Sequence, residues 1–331
     1  MRFTASLTFQ LIFISILGYS QDKSYYDLVV DHFTKRLTSG KDVYGPTETP
    51  FWMASLNTAT GEYPEDDTRP EDRPQRLYQD RPVEAPKGSS MYWDMPQVVM
   101  AYYLADKAGN TMFSESADAY ILAFFNNCVA KNGRFLWGNH FYYDAFRDST
   151  VRFGSNGIAK GVDFEAETGT LHEMRPIVPS WQALWDIDPE ITEAAIRSAI
   201  DGHLTNPATG EFNRHATGNR GHAFLEAGGV LVYSAAWLYE KTQDASLLNK
   251  AQRMANYSFF NRGAETGLLE NSPNQNRWDK IYSTTEVGLW ARGLIEAANY
   301  VDETTRQEWI RMADEAVRDM IAKGMFRDHT G

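Results

Sequence analysis

The chain has one cysteine in 331 residues, Cys128. A single thiol cannot form an internal disulfide, and Cys128 lies on an apolar helical stretch. It therefore reads as a buried, inert side chain, and the fold must be held by its core alone. Basic residues are also scarce: 32 Lys and Arg against 44 Asp and Glu leave a net charge of -12. No basic run reverses that balance locally, which excludes a nucleic-acid surface. An acidic protein can still hold an acidic polymer where local arginines line the groove. Beyond the N-terminus no apolar run reaches the roughly 20 residues of a membrane span. Glycine-rich phosphate loops and nucleophile elbows are missing too, so nucleotide-dependent and serine-hydrolase chemistry fall away.

The N-terminus has a different character. Met1-Arg2, an apolar run from Leu7 to Leu17, and the small residues Gly18 and Ser20 read as a secretory signal over residues 1–20, cleaved before Gln21. No cysteine immediately follows the apolar run, which argues against a lipid anchor. The mature protein is expected to be periplasmic or secreted, and a single domain over residues 21–331.

Helical periodicity begins at Tyr25, with Leu28, Val29, Phe33 and Leu37 on one face. A proline-rich connection from Thr38 to Ser90 follows, in which Tyr44, Phe51, Trp52, Tyr63 and Tyr78 predict an ordered loop lying on the domain. From Met91 onward a weak repeat recurs: Ala101–Lys107 turning into Ser116–Leu122, Ala235–Lys241 into Leu247–Gln252, and Ala291–Ala297 into Trp309–Asp314. The stretch His222–Tyr239 is apolar nearly all round. Its partner carries Leu247, Leu248, Ala251, Met254 and Ala255 on one face only, which predicts an inner helix followed by an outer one. Thr305 and Glu308 read as a capping box before the stripe Trp309, Met312, Ala316 and Met320. Repeated pairs of this kind predict an all-α fold, an α/α toroid with short extended segments in its loops. A closed ring of six pairs needs about a dozen helices, and only eight or nine can be counted. The ring is therefore expected to be incomplete, or the sequence to be a piece of a longer one.

Three short clusters interrupt the helices: Trp137-Gly138-Asn139-His140-Phe141-Tyr142-Tyr143-Asp144, Leu171-His172-Glu173-Met174-Arg175-Pro176, and Phe212-Asn213-Arg214-His215. Connections on a rigid scaffold are where chemistry tends to sit. Histidine with tyrosine supplies acid–base groups near neutral pH. Arg175 and Arg214 can clamp a carboxylate in bidentate fashion, which a lysine does less well. These parts suit removal of the proton beside a uronate carboxylate, a step that needs the carboxylate charge neutralised and the developing enolate stabilised.

Any single histidine can equally be a hydrogen-bonded structural residue. His32 and His222 lie on predicted helices without chemical neighbours, and His203 closes a helix, where a cation favours the dipole. Trp93, Trp181, Trp185, Trp237 and Trp290 read as core, while Trp52, Trp137 and Trp278 in loops can stack on sugars. No metal ligand is assigned. A divalent ion is left open as a cofactor: zinc on His140, His172 and His215, whose spacing matches no short metal motif, or calcium on Asp163, Glu165 and Glu167.

Taken in order, Tyr44-Gly45-Pro46, Thr49-Pro50-Phe51 and the three clusters resemble secreted bacterial proteins of the pectate-lyase-like, α/α-toroid type, and proteins of marine ulvan-degradation systems. The resemblance implies β-elimination on uronic-acid-containing saccharides, with an acidic polysaccharide or oligosaccharide as partner. A sugar leaving from C4 makes the enzyme a polysaccharide lyase; a leaving hydroxyl makes it an oligosaccharide dehydratase. Pectate lyases of this broad type often use calcium and an arginine base. The absence of a convincing acidic cage shifts the expectation towards a His/Tyr mechanism and ulvan-like substrates. His140 or Tyr143 is then the expected base and His172 or His215 the acid. Arg175, Arg214 and Asn139 hold the carboxylate, with Trp137 and Glu173 completing substrate binding. Two other classes stay open. A glycoside hydrolase would use two carboxylates among Asp144, Glu173 and Glu226; a non-catalytic saccharide-binding protein would depend on the loop tryptophans.

Overall fold

The computed structural model describes residues 23–57, 59–63, 87–138, 141–152, 172–216, 223–273, 280 and 284–325. The expected signal over residues 1–20 lies outside them, as do Tyr78, His222 and Trp278.

Helix α1 (Tyr25–Ser39) begins where Ser24 and Asp27 cap each other reciprocally, and it buries Phe33 and Leu37. The proline-rich connection after it contributes the short strands β1 (Lys41–Asp42), β2 (Thr49–Trp52) and β3 (Gly88–Ser89). Phe51, Trp52 and Tyr63 are buried. Aromatic side chains therefore hold this connection onto the domain, as the sequence predicts for the part that is described.

Four helical hairpins follow. α2 (Met91–Ala108) and α3 (Met112–Asn127) are joined through Gly109, whose φ of 61° is the left-handed conformation that ends a helix cleanly in glycine. α4 (Trp181–Ile187) and α5 (Pro189–His203) share Asp188, which ends the first and caps the second through its side chain. α6 (Leu225–Thr242) pairs with α7 (Ala245–Phe260), and α8 (Thr284–Ala297) with α9 (Glu303–Ala322).

The inner and outer roles are as expected. α6 is buried without a break from Leu225 to Leu238, whereas α7 buries a stripe of Leu247, Ala251, Met254, Ala255, Ser258 and Phe259. α6 packs most extensively on α8, its inner neighbour, and also on its own partner α7. The inner helices cross at glycine, where a Cβ on Gly293 would fall 2.5 Å from the Gly229 backbone. At that distance no larger residue fits without moving a helix. Among the described residues the hairpins build an α/α toroid of inner and outer helices. The stripe Trp309, Met312, Ala316 and Met320 on α9 is buried as predicted. Its cap is Asp302 rather than the expected Thr305–Glu308 box. Asp302 accepts from the amides of Thr304 and Thr305 at 3.0 and 3.1 Å, so the helix begins a turn earlier.

Strands β4 (Phe141–Asp144) and β5 (Ser149–Arg152) join β3 in a three-stranded antiparallel sheet, and β6 (Leu204–Asn206) pairs with β7 (Glu211–Phe212). The first turns of α6 and α8 meet, and such helix starts, with unsatisfied amides and the positive pole of the helix dipole, favour anionic side chains.

Candidate active site

Two of the three clusters are bonded into one frame. Glu173 and His215 form an antiparallel bridge. The Met174 amide donates to the Arg214 carbonyl, and the Ala216 amide to the His172 carbonyl, each at 2.9 Å. The third cluster backs onto this frame through Gly138, at a φ of 85°. A Cβ there would come within 2.7 Å of the Glu173 carbonyl oxygen. Trp93, in the first turn of α2, fixes the same glycine by donating its Nε1–H to the Gly138 carbonyl at 3.1 Å. Its neighbour Tyr92 accepts from the Arg175 amide at 2.9 Å and donates back to the Arg175 carbonyl. Burial pushes the Tyr92 phenol well above its ordinary range, so it serves as a neutral clamp on the Arg175 backbone.

Between these backbones lies a charged cluster. Glu173 Oε1 receives Arg214 Nε at 2.9 Å, with Arg175 Nη1 at 3.7 Å and His215 Nε2 at 3.8 Å. Glu226, in the first turn of α6, holds Arg175 Nη1 at 3.1 Å and Arg214 Nη1 at 3.8 Å through one oxygen. The side chains of Glu173 and Glu226 are 2% and 4% exposed, those of Arg175 and Arg214 20% and 19%. The arginines are thus the solvent-facing members. Removing either would leave a buried carboxylate short of its counter-charge. Burial lowers the pKa of Arg214 from its ordinary value even with Glu173 opposite.

A histidine pair sits behind. His203 Nδ1 lies 2.7 Å from the Asn213 carbonyl, and His203 Nε2 lies 2.8 Å from His172 Nδ1. Full burial lowers the His203 pKa to about 3, so the ring is neutral. A carbonyl only accepts, so the His203 proton is on Nδ1 and its Nε2 accepts from His172. The hydrogen-bond pattern thereby places a His172 proton on Nδ1.

Glu286, in the first turn of α8, accepts from the Glu226 amide at 3.2 Å. Burial and then the Glu226 charge push its carboxyl up to about 7. Just before α6, Phe224 takes a φ of 55°, unusual for an aromatic residue, and its ring lies 3.8 Å below the Arg214 guanidinium carbon.

The sequence expectations separate cleanly against this geometry. His172, Glu173, Arg175, Arg214 and His215 come together. Asn139 and His140 lie outside the described residues, as do Asp163, Glu165 and Glu167. Trp137, expected at substrate, is 2% exposed and packs against Tyr92, Phe124, Phe135 and Trp181; it belongs to the core. Tyr143 stacks on Phe51 with ring centroids 4.2 Å apart. Burial and then Asp148 raise its pKa, which opposes a phenolate base, and its charged neighbours Asp148 and Asp42 are not those of Glu173. Asp144 is buried beside Arg147 instead. His203, read as a charged helix cap, is a neutral link in the histidine pair. Glu286 and Tyr92 escaped notice because each is an ordinary residue in the first turn of a helix. Among the described residues no three His, Cys, Asp or Glu side chains are placed to hold a metal ion.

A family model described as periplasmic pectate lyase matches residues 100–223, a span containing the His172–His215 frame. Among solved structures, the chain is similar to a family 105 glycoside hydrolase of C. acetobutylicum ATCC 824, at 11% identity over 70% of this chain and 60% of that one, TM-score 0.44. It is similar to the unsaturated glucuronyl hydrolase of Bacillus sp. GL1, at 16% identity over 70% and 46%, TM-score 0.32. A GH76 α-mannanase of Bacteroides thetaiotaomicron matches at 12% identity over 73% and 63%, TM-score 0.44. The chain spans between 46% and 63% of the length of these structures. No described helix is long and apolar enough to cross a membrane.

Proposed function

We propose that this chain carries the cleavage centre of a carbon–oxygen lyase acting by β-elimination on uronic-acid-containing saccharides in the periplasm or outside the cell. The observation that carries the reading is the Arg175–Arg214 pair, turned towards solvent over buried carboxylates with His215 alongside. The family match over the same residues supports it.

In this reading the C6 carboxylate of a uronate enters between Arg175 and Arg214, with Asn139 as a further donor. Their positive charge draws electron density off C5 as its proton leaves, the preorganised electrostatic help the step needs. His140 is the base expected from sequence, while His172, 0% exposed, stands behind the arginines and holds the frame. The C5–H electron pair becomes the C4=C5 double bond, the C4–O bond breaks, and His215 protonates the leaving oxygen. His215 Nε2 lies 3.8 Å from Glu173 Oε1 and 3.4 Å from Arg214 Nε, inside the charged cluster. Ulvan-like or pectate-like polymers and shorter uronate oligomers all carry the required carboxylate.

One observation favours a second reading. A Glu286 carboxyl pushed up to about 7 beside Glu226 sets two acidic side chains in one site, the kind of pair a glycoside hydrolase requires. Product mass spectrometry separates the two. Cleavage with no water gained, or one water lost from an uncut oligomer, is elimination, and distinguishes lyase from dehydratase. Cleavage with one water gained is hydrolysis, and would replace the histidines by Glu226 and Glu286 as the reacting groups.

A further inference from the structure

Helix α2 starts without the usual supports of a first turn. Ser90, at its N-cap, makes no side-chain cap among the described residues, and Pro96 has no amide proton to donate to the Tyr92 carbonyl four residues back. Yet this turn carries Tyr92, which clamps the Arg175 backbone, and Trp93, which holds the Gly138 carbonyl. Asp94 supplies what the helix ladder omits. Its side chain is 7% exposed. Oδ2 accepts from the Tyr120 hydroxyl at 2.6 Å, while Oδ1 accepts from Arg36 Nη2 at 3.3 Å, so α2 is tied to α3 and α1 together. Both donors stand on a stiff base. Tyr120 stacks on Trp52 with centroids 4.8 Å apart, the Arg36 guanidinium carbon lies 5.8 Å from the centroid of the same ring, and Trp52 Nε1 donates to Ser116 Oγ at 3.2 Å. An ion pair this deep contributes little net stability over apolar side chains of the same volume, because burial costs both charges their water. What it supplies is a single geometry.

We propose that Asp94 is a positioning residue for the substrate site: through Tyr92 it sets where the Arg175 backbone stands, and hence how the Arg175 guanidinium meets an anionic group. The inference rests on the eliminative reading for the identity of that group as a uronate carboxylate, while the path from Asp94 through Tyr92 to Arg175 stands on the hydrogen bonds alone. Asp94 acts at one remove, its carboxylate bonded to α1 and α3. Its neighbour in sequence makes the contact with Arg175.

Amide NMR on the full chain reads this path without turnover. In Asp94→Asn, which keeps the volume and loses the charge, the Arg175 amide resonance should move and its hydrogen exchange quicken about fivefold, the net value of one weakened hydrogen bond. Tyr92→Phe deletes the acceptor itself and should do the same and more. On uronate oligomers, kcat/KM should fall roughly tenfold in Asp94→Asn. Adding Asp94→Asn to Tyr92→Phe should cost little beyond Tyr92→Phe alone, since both act on one path. Tyr120→Phe leaves the carboxylate and the Arg36 pair in place and should show the same changes at smaller size; it carries the test if Asp94→Asn does not fold, and an unmoved Arg175 amide in it then overturns the proposal. A folded Asp94→Asn with an unmoved Arg175 amide overturns it whatever the urea midpoint, because a merely structural anchor would alter stability alone. Additive losses in the double variant overturn it as well. A shifted Arg175 amide in a protein whose wild type turns over no uronate oligomer upholds the positioning of Arg175 and removes the eliminative reading instead.

Discussion

Glu286 closes the N-terminus of a helix that is not its own: its Oε2 accepts from the Glu226 amide at 3.2 Å, tying the first turn of α8 to the first turn of α6. A carboxylate suits the positive end of a helix, yet here it shares that end with the Glu226 side chain. The two acids share the same pair of arginines, and burial with the Glu226 charge keeps Glu286 protonated to higher pH than an ordinary carboxyl.

The pH dependence of stability follows with a definite sign. Glu286 ionises at about 7 in the folded protein against 4.5 ordinarily, so folding favours its protonated form. That contribution is complete below about pH 4.5 and is lost as pH rises through 7, amounting to about 3 kcal/mol at most. Glu286→Gln should flatten the fall in urea midpoint between pH 5 and 7.5. An unchanged slope in the variant would show that Glu286 is not the group responsible.

His203 predicts the opposite slope. Its pKa falls from 6.5 to about 3 on burial, so the neutral ring stabilises the fold fully above pH 6.5 and progressively less as pH drops towards 3. The loss is about 3 kcal/mol by pH 4. His203→Gln should remove much of this acid sensitivity. It should also lower kcat roughly tenfold at pH 7, because the Asn213–His203–His172 chain that orients His172 behind the arginines is broken. A variant with full kcat would mean that His172 needs no such orientation.

How much was legible in the sequence depends on the kind of signal. The helical pairs could be read because burial repeats every turn: Leu247, Ala251 and Met254 spell out one face whatever lies opposite. The frame of His172, Glu173, Arg175, Arg214 and His215 was legible because its residues are chemically conspicuous and crowded into two short stretches. Glu286 and Tyr92 were not, since nothing local distinguishes a glutamate or tyrosine in a first helical turn; only the convergence of α2, α6 and α8 gives them a role. Trp137 misled for the converse reason. A tryptophan in a predicted loop looks exposed, but this loop runs inward against Phe124, Phe135 and Trp181.

Gly138→Ala tests the join between the first cluster and the frame. The left-handed φ of 85° and a Cβ only 2.7 Å from the Glu173 carbonyl act together. Gly109→Ala is the control, with a similar φ of 61° and nothing within 4 Å of the added carbon. The control should lose about 1 kcal/mol from backbone strain alone. Gly138→Ala should lose more, about 2 to 4 kcal/mol, and activity with it, as Glu173 shifts away from Arg214. Equal losses in thermal unfolding would mean that the contact with Glu173 yields without consequence.

The arginines separate structure from chemistry most sharply. Arg175→Met removes the closest recorded cation from Glu226 and should destabilise by about 3 kcal/mol. That result alone would fit a purely structural ion pair. Arg175→Lys keeps the charge and loses the planar fork. If Arg175 only balances Glu226, the lysine variant should recover both stability and turnover. If it grips a uronate carboxylate, the variant should recover most of the stability while kcat/KM on uronate oligomers stays down by about a hundredfold, since a point charge cannot reproduce a bidentate hold. Denaturant midpoints and initial rates of unsaturated-product formation, measured on the same preparations, decide between them, and full recovery of turnover would remove Arg175 from the substrate site.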